Sequence, residues 1–323
     1  MFRAIRIHDY GGPEVLKLET LPTPVPGRGE ILIRQEAMGV NFIDTYFRKG
    51  LYKLPTLPAI LGMEGAGVIE AIGADVTDMA PGDRVAYPTA LGGYAEVRTI
   101  AADRVVPLPP FISSEVAAAV MLRGLTVHAL LREVHEVKPG ETILVYAAAG
   151  GVGLLMCQWG RHLGARVIGV VSTEEKAELA RQNGASDILI GHDNLPARVR
   201  KLTDGAMVPV VYDSIGKDTF VASLDCLAPR GLMVSYGNAS GEVTGVSVGM
   251  LATRGSLYLT RPGLTTYIAQ RSALLKGTEE LFGLIGQGVL SVRIGQRFPL
   301  ADAADAQRAL EARLTTGSTI LLP

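Results

Sequence analysis

The sequence predicts an α/β protein in which a doubly wound parallel sheet follows an antiparallel, partly open β-barrel. Three observations predict it. In the second half, continuous apolar runs of strand length alternate with helical stretches, the pattern of parallel strands covered on both faces. One such run, Leu144-Val145-Tyr146, passes through Ala147, Gly150 and Gly153 into a helical stretch, the spacing of an AxxGxxG turn. The first hundred residues instead break into short strand-like runs separated by Pro and Gly.

Residues 30–34 follow a Pro- and Gly-rich loop at 22–29 and read as a strand, as do 67–73. The turn Pro81-Gly82-Asp83 leads into another at 84–87. At Ser113 the pattern changes. Ser113 and Ser114 suit a helix cap with Glu115 in the first turn, and 116–133 is rich in Ala, Leu and Val. Strands are then expected at 142–146, 166–171, 187–190, 210–212, 232–236 and 256–259, with helices at 152–163, 174–182 and 195–202. The tail holds helices over about 267–286 and 301–314 and a last strand at 319–322. The expected domains are 124–262 for the parallel sheet, and 1–123 joined with 263–323 for the other.

The 323 residues are 48% hydrophobic and 20% charged, which excludes a disordered chain. Lys and Arg number 31 against 32 Asp and Glu, so a chain-wide basic footprint for nucleic acid is absent. The two cysteines, Cys157 and Cys226, form no CxxC. That argues against a disulfide framework and a cysteine-rich zinc site, and suits a reducing cytoplasm. The N-terminus lacks the apolar stretch of a signal peptide, and no apolar run approaches the roughly 18 residues of a membrane span. HExxH, GxSxG and Walker A motifs are absent, and no two of the five histidines stand at metal-ligand spacing.

The Ala147–Gly153 turn carries the chemistry. Gly150 lets backbone approach a pyrophosphate, Gly153 lets the helix pack closely on the sheet, and the helix N-terminus offers free N–H groups to phosphates. The alternative is an ordinary glycine turn between strand and helix. An NAD site usually ends its second strand with an acid for the ribose 2′-hydroxyl. Here that strand ends Val170-Val171-Ser172-Thr173, and Lys176 follows within one helical turn, placed for a 2′-phosphate. Two other readings stand beside this one: Ser172 and Glu175 as a capping box, and Glu174 on an NAD ribose.

The whole chain resembles the quinone oxidoreductases of the medium-chain dehydrogenase/reductases, the zeta-crystallin-like group. The resemblance rests on Gly39-Val40-Asn41-Phe42-Ile43-Asp44-Thr45-Tyr46, Gly62-Met63-Glu64-Gly65-Ala66-Gly67-Val68, Ala147 to Gly153, Tyr212-Asp213-Ser214-Ile215-Gly216 and Leu259-Thr260-Arg261-Pro262. It implies a Rossmann-type sheet with a GroES-like barrel, NADPH as cofactor, a quinone as substrate and a homodimer paired through the sheet's edge strand. It also implies no zinc, because Asn41 and Met63 stand where zinc-dependent relatives carry cysteine and histidine.

The resemblance further implies individual roles. Asn41 belongs at the nicotinamide ribose and carbonyl, and Tyr46 and Tyr52 line the quinone pocket. Thr126 and Val152 lie by the nicotinamide, and Ala149, Gly150, Gly151 and Gly153 bind the cofactor in the same turn as Val152. Ser172 and Lys176 take the 2′-phosphate. His192 stands where close relatives have a tyrosine by the adenosine phosphate. Tyr236, Gly237 and Asn238 border the pyrophosphate and nicotinamide, and Arg313 lies near the cofactor. Each has a plainer alternative: core aromatics for Tyr46 and Tyr52, a local turn bond for Asn41, surface charge for Lys176 and Arg313. The functions carried forward are an NADPH-dependent quinone reductase, an enone or alkenal double-bond reductase, and a non-catalytic NADPH-binding protein, structural or RNA-binding.

Overall fold

Six strands in the middle of the chain form one parallel sheet, in the spatial order Asp187–Ile190, Arg166–Val171, Thr142–Tyr146, Val208–Asp213, Leu227–Ser235, Tyr258–Thr260. Numbered along the chain, that order is 3-2-1-4-5-6. Connections run outward in both directions from the gap between the first and fourth strands, the switch point of a doubly wound sheet. The structure, a computed structural model, describes residues 1–323. The chain divides into two compact units, one of Met1–Leu125, Ile268–Gly286 and Val292–Pro323, the other of Thr126–Tyr267 with Gln287–Ser291.

The parallel sheet forms because its strands are apolar on both faces. Leu144, Ile168, Val170, Val211 and Met233 are buried with Leu195, Val199, Phe220 and Leu224 from covering helices. Each such side chain contributes about 1.5–3 kcal/mol when fully buried. Cys157 and Cys226 are free and buried, and burial pushes both thiols up to about 12, so they pack as small hydrophobes.

The other unit is mainly antiparallel. Its larger sheet runs Ile294–Pro299, Ser318–Leu322, Glu30–Val40, Glu64–Ile72, Arg84–Tyr87, Val106–Pro107, and Val97–Ala101 also pairs with Glu30–Val40. A smaller sheet joins Lys17–Leu21, Phe2–Ile7 and Ala59–Ile60. The strand expected at 30–34 runs on to Val40. Its first half pairs with 97–101 and its end with 319–321, so the polar residues Arg34, Gln35 and Glu36 stay in the ladder.

Three further expectations change. The helix expected over 267–286 is two, Leu264–Tyr267 and Arg271–Gly286. The cap at 174–182 is Thr173, whose hydroxyl accepts from the Lys176 N–H at 3.3 Å, so the Ser172–Glu175 capping box is replaced by a cap one residue later. The helix Ser114–Val134 is long and apolar enough to cross a membrane by length and composition, despite the charges that interrupt it. Most of it is buried inside the fold, as in a core helix.

A short helix, Phe42–Arg48, was not legible in the sequence, and a buried cation pins it. The Arg48 guanidinium is fully buried. It donates to both Glu311 carboxylate oxygens (2.8 and 3.0 Å), to Gln307 Oε1 and to the Gly11 carbonyl. This ties Phe42–Arg48 to the helix Ala303–Glu311. Burial raises the Glu311 carboxyl, but Lys49 and Arg48 outweigh it and hold the group below the usual range. Replacing Arg48 by methionine leaves Gln307 and Glu311 without that partner. The expected loss is about 3 kcal/mol, the low end for a broken buried pair, because Glu311 keeps Lys49 and some water. Urea unfolding checks it, and an unchanged midpoint contradicts it.

Candidate functional site

The turn after the first parallel strand is held in a constrained backbone conformation. Ala147 sits at φ +50°, the left-handed region that alanine adopts only at a cost, at the position where the glycine fingerprint places its first residue. Gly150 donates its N–H to the Ala147 carbonyl at 2.8 Å and starts the helix Gly151–His162 with no side-chain cap. A Cβ on Gly153 would fall on the Ala147 carbonyl oxygen and within 2.7 Å of the Ala148 Cα. Only glycine lets this helix lie so close to the strand. The N–H groups of Gly151, Val152 and Gly153 then have no intrahelical acceptor and carry the positive end of the helix dipole. Ala149 is buried, and Val152 is half-buried.

Other residues singled out in the sequence lie at the same, C-terminal, ends of the strands. Ser172 is exposed beyond Arg166–Val171, and Lys176 is half-buried in the first turn of Glu174–Gln182. His192 follows Asp187–Ile190, and its ring lies 5.7 Å from that of Tyr146, tilted by 33°. Tyr236, Gly237 and Asn238 follow Leu227–Ser235. The Tyr236 N–H donates to the Asp213 carbonyl, and its hydroxyl lies 4.0 Å from the Met156 sulfur. Thr126 is half-buried in Ser114–His128.

Two residues here were missed as site residues. Asp213, fully buried at the end of the fourth strand, accepts from the Ile215 and Gly216 N–H groups and from the Thr219 and Ser223 hydroxyls. It folds the turn at the switch point, and a Cβ on Gly237 would fall on the Ser214 carbonyl oxygen of that turn. Arg261 donates to the Ser235 and Gly237 carbonyls (2.8 and 3.2 Å) and to Asn238 Oδ1 (3.1 Å), which fixes the turn after the fifth strand. The sequence signal was Asp-Ser-x-Gly for the first and Arg-Pro beyond the edge strand for the second.

In the other unit, Asn41 begins Phe42–Arg48. Its backbone N–H donates to Asp44 Oδ2 at 2.8 Å and its side chain accepts from the Asp44 backbone N–H, a complete capping box. Its Nδ2 also reaches across to Glu64 Oε1 at 2.7 Å. Tyr46 is buried, and Tyr52 meets its ring edge-on with centroids 5.5 Å apart. Phe47 adds a second edge contact to Tyr52 at 5.7 Å, giving a rigid aromatic group. Gly50, at φ +74°, makes the turn between them. Arg313 lies just past Ala303–Glu311 at φ +59°, where glycine is usual, with the Leu314 N–H donating back to the Ala309 carbonyl.

No three His, Cys, Asp or Glu side chains gather as a metal-ligating group. Beside Asn41, Asp44 and Glu64 are both fully buried, and both act as hydrogen-bond acceptors. Burial pushes the Asp44 carboxyl up to about 7, against the opposing pull of the Asn41 N–H and the Tyr94 hydroxyl. Its Oδ1 has no partner.

Residues 27–110 match the family described as alcohol dehydrogenase GroES-like domain, and residues 151–267 that described as zinc-binding dehydrogenase. The quinone oxidoreductase of Pseudomonas aeruginosa is 54% identical over 325 residues, covering 100% of both chains. A 2-haloacrylate reductase of a Burkholderia species is 43% identical, covering 100% of this chain and 99% of the relative. The crystal structure of Escherichia coli quinone oxidoreductase complexed with NADPH superposes with a TM-score of 0.98 at 49% identity. The match covers 99% of this chain and 100% of that one.

The Asp44 shift has a consequence for stability. A carboxyl whose pKa is higher folded than unfolded holds its proton in the native state. Its contribution is complete below about pH 4 and is lost as pH rises through about 7. Asp44→Asn keeps an acceptor for Asn41 and Tyr94 and cannot ionise. Relative to that variant, the wild type loses stability between about pH 4 and 7 in urea unfolding. Parallel stability curves for the two proteins contradict the assignment.

Proposed function

This chain belongs to the quinone oxidoreductase family of the medium-chain dehydrogenase/reductases, and we propose that it reduces quinones with NADPH, without zinc. Its fold is a Rossmann-type sheet with a GroES-like domain. The observation that carries the reading is the full-length structural match, at a TM-score of 0.98, with an enzyme solved with NADPH.

The residues fit a dinucleotide. The uncapped helix start at Gly151 and the close approaches at Gly153 and Gly237 leave bare backbone where a pyrophosphate and a nicotinamide need it. They do not fit zinc, since Asn41 and Met63 replace the needed donors and the Glu64 carboxylate is held by N–H groups.

NADPH, when bound, supplies a hydride from its nicotinamide ring. The chain's task is to hold and orient. Ala149, Gly150, Gly151 and Gly153 cradle the pyrophosphate, and Val152 lies by the nicotinamide. Ser172 and Lys176 take the 2′-phosphate, and His192, its ring tilted against that of Tyr146, flanks the adenosine. Tyr236, Gly237, Asn238 and Thr126 border the nicotinamide, Asn41 bonds its ribose and carboxamide, and Arg313 adds a cation toward the cofactor. Tyr46 and Tyr52, packed edge to face, line the pocket for the quinone ring. The Tyr52 hydroxyl donates to the oxygen on which charge develops, and solvent completes its protonation. Positioning a good acceptor is most of the catalysis.

A second reading has its own observation, the 43% identity to a 2-haloacrylate reductase. An activated alkene needs the same cofactor but a proton delivered to carbon. A panel of quinones and 2-haloacrylates separates the two.

The finer assignment includes a cytoplasmic homodimer. Two buried free thiols suit a reducing compartment. The strand Tyr258–Thr260 ends the parallel sheet with Tyr258 and Leu259 exposed, an edge open to a second copy. Light scattering at micromolar protein gives twice the chain mass, and Leu259→Glu lowers it toward one; a wild-type monomer removes the dimer.

The test of function follows the nicotinamide absorbance with 1,4-benzoquinone, against a blank without protein. Oxidation is saturable and prefers NADPH to NADH. Lys176→Ala lowers that preference by roughly one decade, the worth of one charge-assisted contact. Tyr52→Phe lowers kcat with little change in NADPH affinity. Equal use of both nucleotides by the wild type removes the Lys176 assignment, and no turnover of any quinone removes the enzyme reading.

A further inference from the structure

We propose that Glu64 is a positioning residue that fixes which way the Asn41 carboxamide faces. Glu64 is the first residue of the strand Glu64–Ile72 and is fully buried. Three N–H groups surround its carboxylate. Asn41 Nδ2 donates to Oε1 at 2.7 Å, Arg123 Nη1 donates to Oε1 at 3.2 Å, and the Leu122 backbone N–H donates to Oε2 at 2.7 Å. A site made of N–H donors takes an acceptor, so the group is held as a carboxylate. Burial pushes its pKa up, and Arg123, Asn41 and the Leu122 N–H oppose that rise.

The surroundings are built for this. Arg123 cannot swing away, because it also donates to the Ala119 and Val40 carbonyls. Gly39 lies against the carboxylate from the neighbouring strand, and a Cβ there would fall on Glu64 Oε1 and on the Ala118 carbonyl. The space that Glu64 fills is therefore kept open by the backbone of Glu30–Val40.

A carboxylate accepts and never donates. Of the two orientations of the Asn41 amide, only the one with Nδ2 toward Glu64 avoids setting two oxygens face to face. One Asn41 N–H is thereby consumed. Oδ1 accepts from the Asp44 backbone N–H in the capping box, so the second N–H is what the residue presents elsewhere, and it suits a ligand acceptor. The inference rests on the reading that Asn41 bonds the nicotinamide portion of NADPH.

The test is a double-mutant cycle on NADPH oxidation by 1,4-benzoquinone, with NADPH binding followed by fluorescence. Glu64→Gln keeps the volume but cannot serve both Leu122 and Asn41 as an acceptor. It lowers kcat/KM by roughly tenfold, the worth of one misdirected buried hydrogen bond. In an Asn41→Ala background the same change has almost no further effect. Glu64→Asp, which keeps the charge but withdraws it from Asn41, serves if the glutamine variant fails to fold, with the same loss and the same silence beside Asn41→Ala. An equal loss in both backgrounds means that Glu64 only supports the fold and overturns the proposal. If Asn41→Ala alone matches the wild type, the Asn41 reading fails first and takes this inference with it.

Discussion

A helix can aim its N-terminus at a phosphate only if nothing stands between it and the strand that delivers it. In this protein that constraint is met at Gly153, where a side chain would strike the carbonyl oxygen of Ala147. The close approach carries a local cost, an alanine held at φ +50°. Its return is a row of N–H groups at the switch point of a parallel sheet, where dinucleotides bind in doubly wound folds. The neighbouring turns obey the same rule. Asp213 gathers two N–H groups and two hydroxyls to fold one of them, and Arg261 clamps another by its carbonyls.

The other unit solves a different problem. It carries polar groups deep inside a β structure and satisfies them pairwise. Arg48 answers Glu311 and Gln307, Arg123 answers Glu64, and the Tyr94 hydroxyl answers Asp44. Such pairs add little net stability compared with apolar packing, but removing one partner is costly, so they hold geometry. Both ends of the helix Phe42–Arg48 are held this way, Asn41 and Asp44 at its start and Arg48 at its close. The helix that carries Tyr46 is thus fixed by buried hydrogen bonds to the rest of its unit, its seven residues being too few for independent stability.

The parallel sheet was legible because its signals are local. Apolar runs mark its strands, and the bounds at 187–190, 174–182 and 195–202 coincide with the observed elements. The Ala147–Gly153 turn was legible because glycine is demanded by backbone contact. Phe42–Arg48 was not legible, since its stability comes from partners some 260 residues away in sequence. The role of Glu64 was hidden for the same reason. Its carboxylate meets Asn41 and Arg123 across separations of 23 and 59 residues. Thr173 displaced Ser172 as a cap because two adjacent hydroxyl residues both suit the position, and the strand's end decides between them.

The account holds that this chain catalyses by orienting one face of a bound nicotinamide toward the acceptor. The most direct measurement is a single-turnover reaction with 1,4-benzoquinone, using NADPH deuterated on one or the other face of nicotinamide C4. The account predicts slower oxidation from deuterium on one face and an unchanged rate from the other. Equal rates from both forms would contradict it.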